Sequence, residues 1–321
     1  MRDILTITLN PAVDLSTAVD VVTAGPKLRC ARPRTDPGGG GINVSRAIRE
    51  LGGDSRTFVA LAGHTGDKLA DLLAMEGIFC LSFKGPGETR QSLAVTDTTT
   101  KEQFRFVMPG PEWSQPQAEA LIKTLSEHVQ EGSLVILSGS LPPGMPDGFL
   151  ATLCDTVHRH GADLIADLSG DPLTRLVTDK TVRAHILRMD QHEAETLNGA
   201  PLPSRAETAD FAQSLIHKGA ATLVIVARGA DGSVLATSDT ALHVAAADVP
   251  VKSKVGAGDS FVGAFTLALA QGSPLSNAMQ RGAAAASAAV MTEATELCRR
   301  EDVERLTSDC KITPIYGNFD E

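Results

Sequence analysis

Asp259 stands where a carboxylate could do chemistry. It lies in the stretch Val255-Gly256-Ala257-Gly258-Asp259-Ser260-Phe261. An extended run from Ala241 to Val251 precedes the stretch, and a helical pattern follows it. Phe261, Val262, Phe265 and Leu269 recur at three- and four-residue spacing and share one helical face. Two glycines at a helix mouth let the backbone turn tightly and present its N–H groups outward. With the positive end of the helix dipole, those groups make a site for an anion. A carboxylate there would repel the anion unless it acts on something. Asp259 could take a proton from a hydroxyl while the N–H groups hold the negative charge that develops. The competing reading of the same residues is an N-capping aspartate after an ordinary turn.

A second glycine run, Gly38-Gly39-Gly40-Gly41-Ile42-Asn43, also leads into a helix. It is not a dinucleotide fingerprint, because position 43 is Asn, and not a Walker loop, because no Gly-Lys-Ser/Thr follows. Four glycines let the main chain approach a ligand closely, and Asn43 could bind a hydroxyl with its amide. A flexible turn with an N-capping Asn is the alternative. Ser138-Gly139-Ser140-Leu141-Pro142-Pro143-Gly144 is a rigid loop at a strand end. Arg90 and Arg105 lie on a proposed hairpin, where a guanidinium could grip a phosphate bidentately or simply face solvent. The histidines show no metal-ligand spacing.

The elements that must position these residues alternate along the chain. Ile4 to Leu9 reads as a buried strand ended by Asn10-Pro11, with Asp14 in the loop after it. Further short apolar strands are expected at Thr57–Ala62, Leu134–Leu137, Asp163–Asp167, His185–Met189 and Thr222–Ala227. Helices are expected at about 43–51, 67–76, 115–130, 147–160, 191–198, 205–218 and 276–294. Apolar strands separated by helices predict an α/β fold with a mainly parallel sheet covered on both faces. Its active loops lie at the carboxyl ends of the strands. Residues 89–97 and 102–108 alternate faces and predict a hairpin with one exposed face. Together with residues 16–35, which hold Lys27, Arg29, Arg32 and Arg34, they form an expected small β lid. No composition break divides residues 1–321, so a single domain is expected. The tail from Ile312 to Glu321 reads as an irregular arm.

The chain is 42% hydrophobic and 21% charged, and its formal net charge is −10. That balance argues against a general nucleic-acid surface, so an anionic substrate must be met by a local basic cluster. The five cysteines, Cys30, Cys80, Cys154, Cys298 and Cys310, form no CxxC pair and indicate neither a zinc site nor a disulfide framework. No apolar run reaches transmembrane length, and the N-terminus meets acids and a proline too early for a signal peptide. No membrane partner and a cytoplasmic location are expected.

Asn10-Pro11-Ala12-Val13-Asp14, the glycine run with its helix, Ser138–Gly144 and Val255–Phe261 occur in this order. Together they resemble the ribokinase-like sugar kinases of the PfkB family. Lys27-Leu28-Arg29-Cys30, Thr89-Arg90-Gln91 and Arg105–Gly110 are most similar to the 6-phosphofructokinase branch of that family. The resemblance implies a three-layer α/β/α sandwich with a β lid. It implies ATP-dependent, Mg²⁺-assisted phosphorylation of a phosphosugar hydroxyl, with fructose 6-phosphate as the expected acceptor. Fructose 1-phosphate, tagatose 6-phosphate or a non-catalytic sugar-phosphate sensor are the alternatives. By analogy, Asp259 is the base, and the amides of Gly256, Ala257, Gly258 and Asp259 form the anion hole. Asp14, Gly39, Gly40, Asn43 and Ser138 are expected at the sugar, and Lys27, Arg29, Arg90 and Arg105 at its phosphate. Arg188, Asp190, Gly229 and Gly232, with Gly256 and Gly258, are expected at the nucleotide, and Glu193 at Mg²⁺ through water. A homodimer through the lid is expected.

The chain departs from the family pattern at several positions. Arg188-Met189-Asp190-Gln191-His192-Glu193 stands where Lys-Pro-Asn-x-x-Glu is usual. Ala227-Arg228 replaces a hydroxyl residue and an apolar one, and Arg228 is expected to return a positive charge to the nucleotide phosphates. Lys254 stands for a Thr. Ala294 and Glu296 replace a Gly and an Arg in a loop tied to a monovalent-cation site, so little response to potassium is expected.

Overall fold

The structure is a computed structural model, and it describes residues 1–293 and 295–317. In chain order the first half runs β1 (Ile4–Thr8), β2 (Ala12–Val19), β3 (Arg34–Gly38), α1 (Gly40–Glu50), β4 (Arg56–Leu61), α2 (Gly63–Met75), β5 (Cys80–Lys84), β6 (Arg90–Asp97), β7 (Gln103–Val107), α3 (Gln115–Ser126), β8 (Leu134–Ser138) and α4 (Phe149–Arg159). The second half runs β9 (Asp163–Asp167), α5 (Gly170–Thr178), β10 (Ala184–Asp190), α6 (Gln191–Asn198), α7 (Arg205–His217), β11 (Ala221–Ala227), β12 (Ser233–Ala236), β13 (Ala241–Val244), α8 (Ala257–Ala270), α9 (Leu275–Ala289), α10 (Arg300–Leu306) and β14 (Ile312–Tyr316).

Ten of these strands form one sheet, in the order β14-β13-β12-β11-β10-β9-β8-β1-β4-β5. Pairing is parallel from β11 through β5 and antiparallel from β11 to β14. The central strands are buried on both faces, because helices cover both. Alternation along each strand decides which cover a residue meets. Leu5, Ile7, Val135 and Leu137 pack with α3, α4, α5 and α7. Ile4, Leu134 and Ile136 face the other way, onto α1, α8, α9 and α10. The strand order reverses about β1, which lies between β4 and β8. The carboxyl ends of β1 and β8 therefore open the crevice where such sheets bind ligands.

The other four strands form a second sheet, β3-β2-β6-β7. It is built from the segments expected to form the lid, with different boundaries. The segment read as extended over 16–35 contains the end of β2, an irregular stretch and the start of β3. Asp14 lies on β2 itself, opposite Asp36 and Ser92, and not in a loop. Gly38 leaves the glycine loop and ends β3. The hairpin of β6 and β7 matches expectation.

Other elements were not legible. β5, β12, α5 and α10 were not expected, and α9 ends at Ala289, short of the expected 294. Of the tail read as an irregular arm, Ile312–Tyr316 forms edge strand β14 against β13, and 318–321 lie outside the described residues. Ile312–Tyr316 lacks a marked alternation, and it becomes a strand because β13 offers an open row of backbone groups.

Candidate active site

The glycine mouth of α8 forms as expected. Gly256 caps the helix at φ +75°, a left-handed conformation that costs a side-chain residue strain. A Cβ there would also stand 2.6 Å from Cδ2 of Leu297. The amides of Ala257, Gly258 and Asp259 open the helix, so no intrahelical carbonyl claims them. Asp259 lies third in the helix, and its Oδ2 accepts 2.9 Å from Nδ2 of Asn43 on α1. Asn43 Oδ1 in turn accepts from Arg46 Nη1 at 3.4 Å, and Glu76 holds Arg46 at 2.6 and 2.9 Å. The carboxylate is thus fixed from one side by a line of side chains reaching α2.

Asp259 titrates far above an ordinary aspartate. Burial, then the nearby Asp167 carboxylate, push it up to about 7, against the Asn43 hydrogen bond and the positive charge of Arg188. A base near neutrality is poised to exchange a proton with a hydroxyl.

Beneath this helix mouth lies a polar knot at the carboxyl ends of β8, β9 and β10. Arg188 Nη1 bonds Asp167 Oδ1 at 3.0 Å, and Ser138 Oγ donates to Asp167 Oδ2 at 3.0 Å. Burial would lower the Arg188 pKa, but Asp167 more than offsets it and the net direction is up. Gly258 lies against the Arg188 guanidinium, 3.0 Å from a Cβ built there. Arg188 and Ser138, expected at nucleotide and sugar, both hold Asp167, and Arg188 Nε stays buried with no hydrogen-bond partner. Gly40 packs closely against the end of β8. A Cβ there would meet Ser138 Oγ and come within 2.6 Å of the Gly139 amide nitrogen. Gly39 is the N-cap of α1, adjacent to this contact.

Above the mouth, the lid contributes a mixed-charge cluster. Arg90 donates to Asn10 O at 3.2 Å, Ser92 Oγ at 3.2 Å and Met108 O at 3.4 Å. Burial lowers its pKa, opposed by Asp14. Burial raises the Asp14 carboxyl, opposed chiefly by Arg90 and also by Arg105. Arg90, Asn10, Met108, Ser140 and Arg175 line a cavity of about 540 Å³. A smaller one is lined by Asp14, Ser92, Arg105, Val255 and Thr295. Asp259 lines neither, so the large cavity marks a region beside the proposed chemistry and not its centre. Lys27 and Arg29 are exposed between β2 and β3 and line neither of these two cavities.

On the side expected to take the nucleotide, Asp190 and Glu193 form a capping box at α6. Glu193 N donates to Asp190 Oδ1 at 2.9 Å, and Asp190 N donates to Glu193 Oε2 at 2.8 Å. Burial raises the Glu193 pKa. Gly229 and Gly232 shape the turn after β11. The Arg228 guanidinium, expected at the nucleotide phosphates, is instead surrounded by protein acceptors. Among the described residues no group of three or more His, Cys, Asp or Glu could hold a metal ion. Lys254 is exposed. Glu296 faces Arg34 at 3.4 Å and Arg299 at 3.0 Å, and Ala294 lies outside the described residues.

Sequence reasoning missed Arg46, Glu76, Asp167 and Asp36. Only Asp167 carried a usable signal, an acid at the carboxyl end of an apolar strand. No helix among the described residues is long and apolar enough to cross a membrane.

Comparison with known proteins bears on the family and the fold. The model of the pfkB family of carbohydrate kinases matches residues 3–302. An ATP-dependent 6-phosphofructokinase isozyme 2 of Mycobacterium tuberculosis (strain H37Rv) is 36% identical over 302 residues, covering 94% of this chain and 88% of the relative. A 1-phosphofructokinase of Bacillus subtilis is 28% identical over 312 residues, covering 97% of this chain and 100% of the relative. The crystal structure of phosphofructokinase-2 from Escherichia coli with fructose 6-phosphate superposes with a TM-score of 0.88 at 33% identity, over 96% of this chain and 99% of that one. The chain therefore belongs to the pfkB family of carbohydrate kinases and has the ribokinase-like fold of that family.

Proposed function

We propose that this protein transfers the γ-phosphoryl group of ATP to a hydroxyl of fructose 6-phosphate. The observation that carries the reading is the Asp259 carboxylate, raised to about 7 and held by Asn43 at the open amide end of α8. The sugar hydroxyl loses its proton to Asp259, its oxygen bonds the γ-phosphorus, and the bond to the β-phosphate oxygen breaks to release ADP. The amides of Ala257, Gly258 and Asp259 face the charge on the transferring group, which is where stabilisation counts in phosphoryl transfer. Asp14 and Asn43 orient sugar hydroxyls, and Arg90 meets the sugar phosphate from the cavity it lines.

The donor set fits magnesium carried by the nucleotide. Mg²⁺ keeps several waters and is usually bound by one or two carboxylates plus substrate phosphates, so no full protein cage is needed. Glu193, with Asp190 beside it, would hold the ion through water, and the ion would neutralise phosphate charge during transfer. The lid is proposed to close over the sugar and exclude water. Its outer strand β7 exposes Phe104, Phe106 and Val107, with Met108 just beyond, and supports a dimer joined through the lid.

The test is turnover with MgATP across fructose 6-phosphate, fructose 1-phosphate, tagatose 6-phosphate and unphosphorylated fructose. Fructose 6-phosphate should give the highest kcat/KM. Arg90→Ala should reduce kcat/KM for the phosphosugar about tenfold or more, as expected for a lost charge-assisted contact, while ATP affinity stays within about twofold. Equal losses for phosphorylated and plain sugar would remove Arg90 from the phosphate site. Preference for fructose 1-phosphate would move the acceptor to the other branch.

A further inference from the structure

We infer that Arg228 is a positioning residue for the nucleotide: its guanidinium fastens the 228–232 turn to the segment before α7 and, through it, to the start of α6. The inference rests on the reading that ATP binds along this edge of the sheet.

Arg228 leaves β11 at its carboxyl end, and its own amide closes the turn by donating to Gly232 O at 2.7 Å. Its side chain then turns inward and is only 6% exposed. Nε donates to Asp231 Oδ2 at 2.9 Å. Nη1 donates to Leu202 O at 2.9 Å, to Ser204 O at 3.3 Å and to Thr208 Oγ1. Nη2 donates to Pro203 O at 2.9 Å. Three consecutive carbonyls, a hydroxyl and a carboxylate thus surround one guanidinium. A buried cation is tolerated only when its donors are satisfied in this way, and a planar fork suits several acceptors at once.

The acceptors are themselves held. Arg205 grips Asp231 Oδ1 at 2.5 Å, and the Asp231 carbonyl sits 2.6 Å from Nε2 of buried His243. The bond from Arg205, with that from Arg228, keeps the Asp231 carboxyl well below the usual range, so it stays charged as a partner. Leu202 connects onward: its N donates to Glu195 Oε1 at 3.0 Å, and its O also accepts from Gln191 Nε2 at 3.4 Å. Gln191 is the first residue of α6, next to the Asp190–Glu193 capping box. One side chain therefore ties together the two edges proposed to flank ATP, the turn after β11 and the acidic start of α6. Those edges follow adjacent parallel strands, β10 and β11.

With its nitrogens engaged by protein, Arg228 acts through the backbone it holds and not by touching phosphate. The two roles separate by conservative substitution. A lysine would keep a phosphate contact, but its point-like ammonium cannot reproduce a fork across Asp231, Thr208 and three carbonyls.

The experiment compares the full-length wild type with Arg228→Leu and Arg228→Lys, measuring MgATP binding by calorimetry and both KM values in turnover with fructose 6-phosphate. Both variants should weaken ATP about tenfold or more, the loss expected for charged hydrogen bonds, with kcat and the sugar KM within about threefold. Wild-type-like ATP affinity in Arg228→Leu overturns the inference. So does retained affinity in Arg228→Lys alone, which would assign a direct phosphate contact. If the wild type binds no ATP, the nucleotide reading itself has failed. Should thermal melts show that both Arg228 variants are unfolded, Thr208→Ala removes one anchor. It should weaken ATP about threefold, and unchanged affinity there counts against the clamp.

Discussion

Asp259 can accept a proton only when its carboxyl is ionised, and in the fold that requires a pH above about 7. Turnover should therefore rise with pH through about 7, the limb reporting Asp259. Asp259→Asn should lose on the order of 10²–10⁴ in kcat while binding sugar normally. Near-wild-type turnover in that variant would end the base assignment. Stability should move the opposite way. The folded value lies above the ordinary 3.8, so the folded chain holds this proton more tightly than the unfolded chain does. Asp259 accordingly weakens the fold progressively as pH climbs from about 4 to about 7 and leaves it weaker above. Asp259→Asn removes that burden, so its melting temperature should exceed the wild type's by more at pH 8 than at pH 4.5. An equal difference at both would show that burial does not strain the carboxylate.

Strand β3 links the small sheet, through residues 295–298, to the start of α8. Buried Asp36 accepts from Arg34 Nε at 2.8 Å and from Thr295 Oγ1 at 2.6 Å. Arg34 reaches on to Glu296 at 3.4 Å. The same loop seats Leu297 against Gly256, and Cys298 N donates to Ser260 Oγ at 3.3 Å. Residues 295–298 thereby connect β3 with the start of α8. Asp36→Ala breaks the joint and leaves Asp259 and Arg90 untouched. Its ratio of ATP hydrolysis to sugar phosphorylation should rise several-fold, because a loosened lid admits water as the acceptor. An unchanged ratio would show that β3 is only scaffold.

The whole molecule carries a formal charge of −10 yet is proposed to bind two phosphorylated substrates. The positive field must then be local, from Arg90 and Arg105 on the lid and from the amide end of α8. The same lid shows the apolar strand β7, with Phe106 at 52% and Val107 at 64% exposure. Charge repulsion between acidic copies is weakest where such an apolar face meets its twin, so the lid is the expected contact. Sedimentation should give twice the 33.6 kDa chain mass, and Phe106→Asp should shift it toward one chain. A wild type that sediments as a single chain would remove the lid dimer.

Local patterns in the chain suffice for the layers and for the glycine-opened start of the helix that carries Asp259. Apolar strands such as Leu134–Ser138, and the three- and four-residue rhythm after Asp259, are local patterns that need no knowledge of distant residues. The two glycines before Asp259 carry their meaning in the same way, through backbone geometry alone. Tertiary structure decided the partners. Asn43 meets Asp259 across 216 residues, and Ser138 meets Asp167 because β8 and β9 pair in parallel. Arg228 reads as a free charge along the chain, and only the fold of residues 202–208 against its turn turns it into a buried clamp. Lys27 and Arg29 likewise read as members of a basic cluster, but the path between β2 and β3 leaves them in solvent. Periodicity fixes which face of an element is apolar. The partner of a charged side chain depends on which chain ends the topology brings to the same edge.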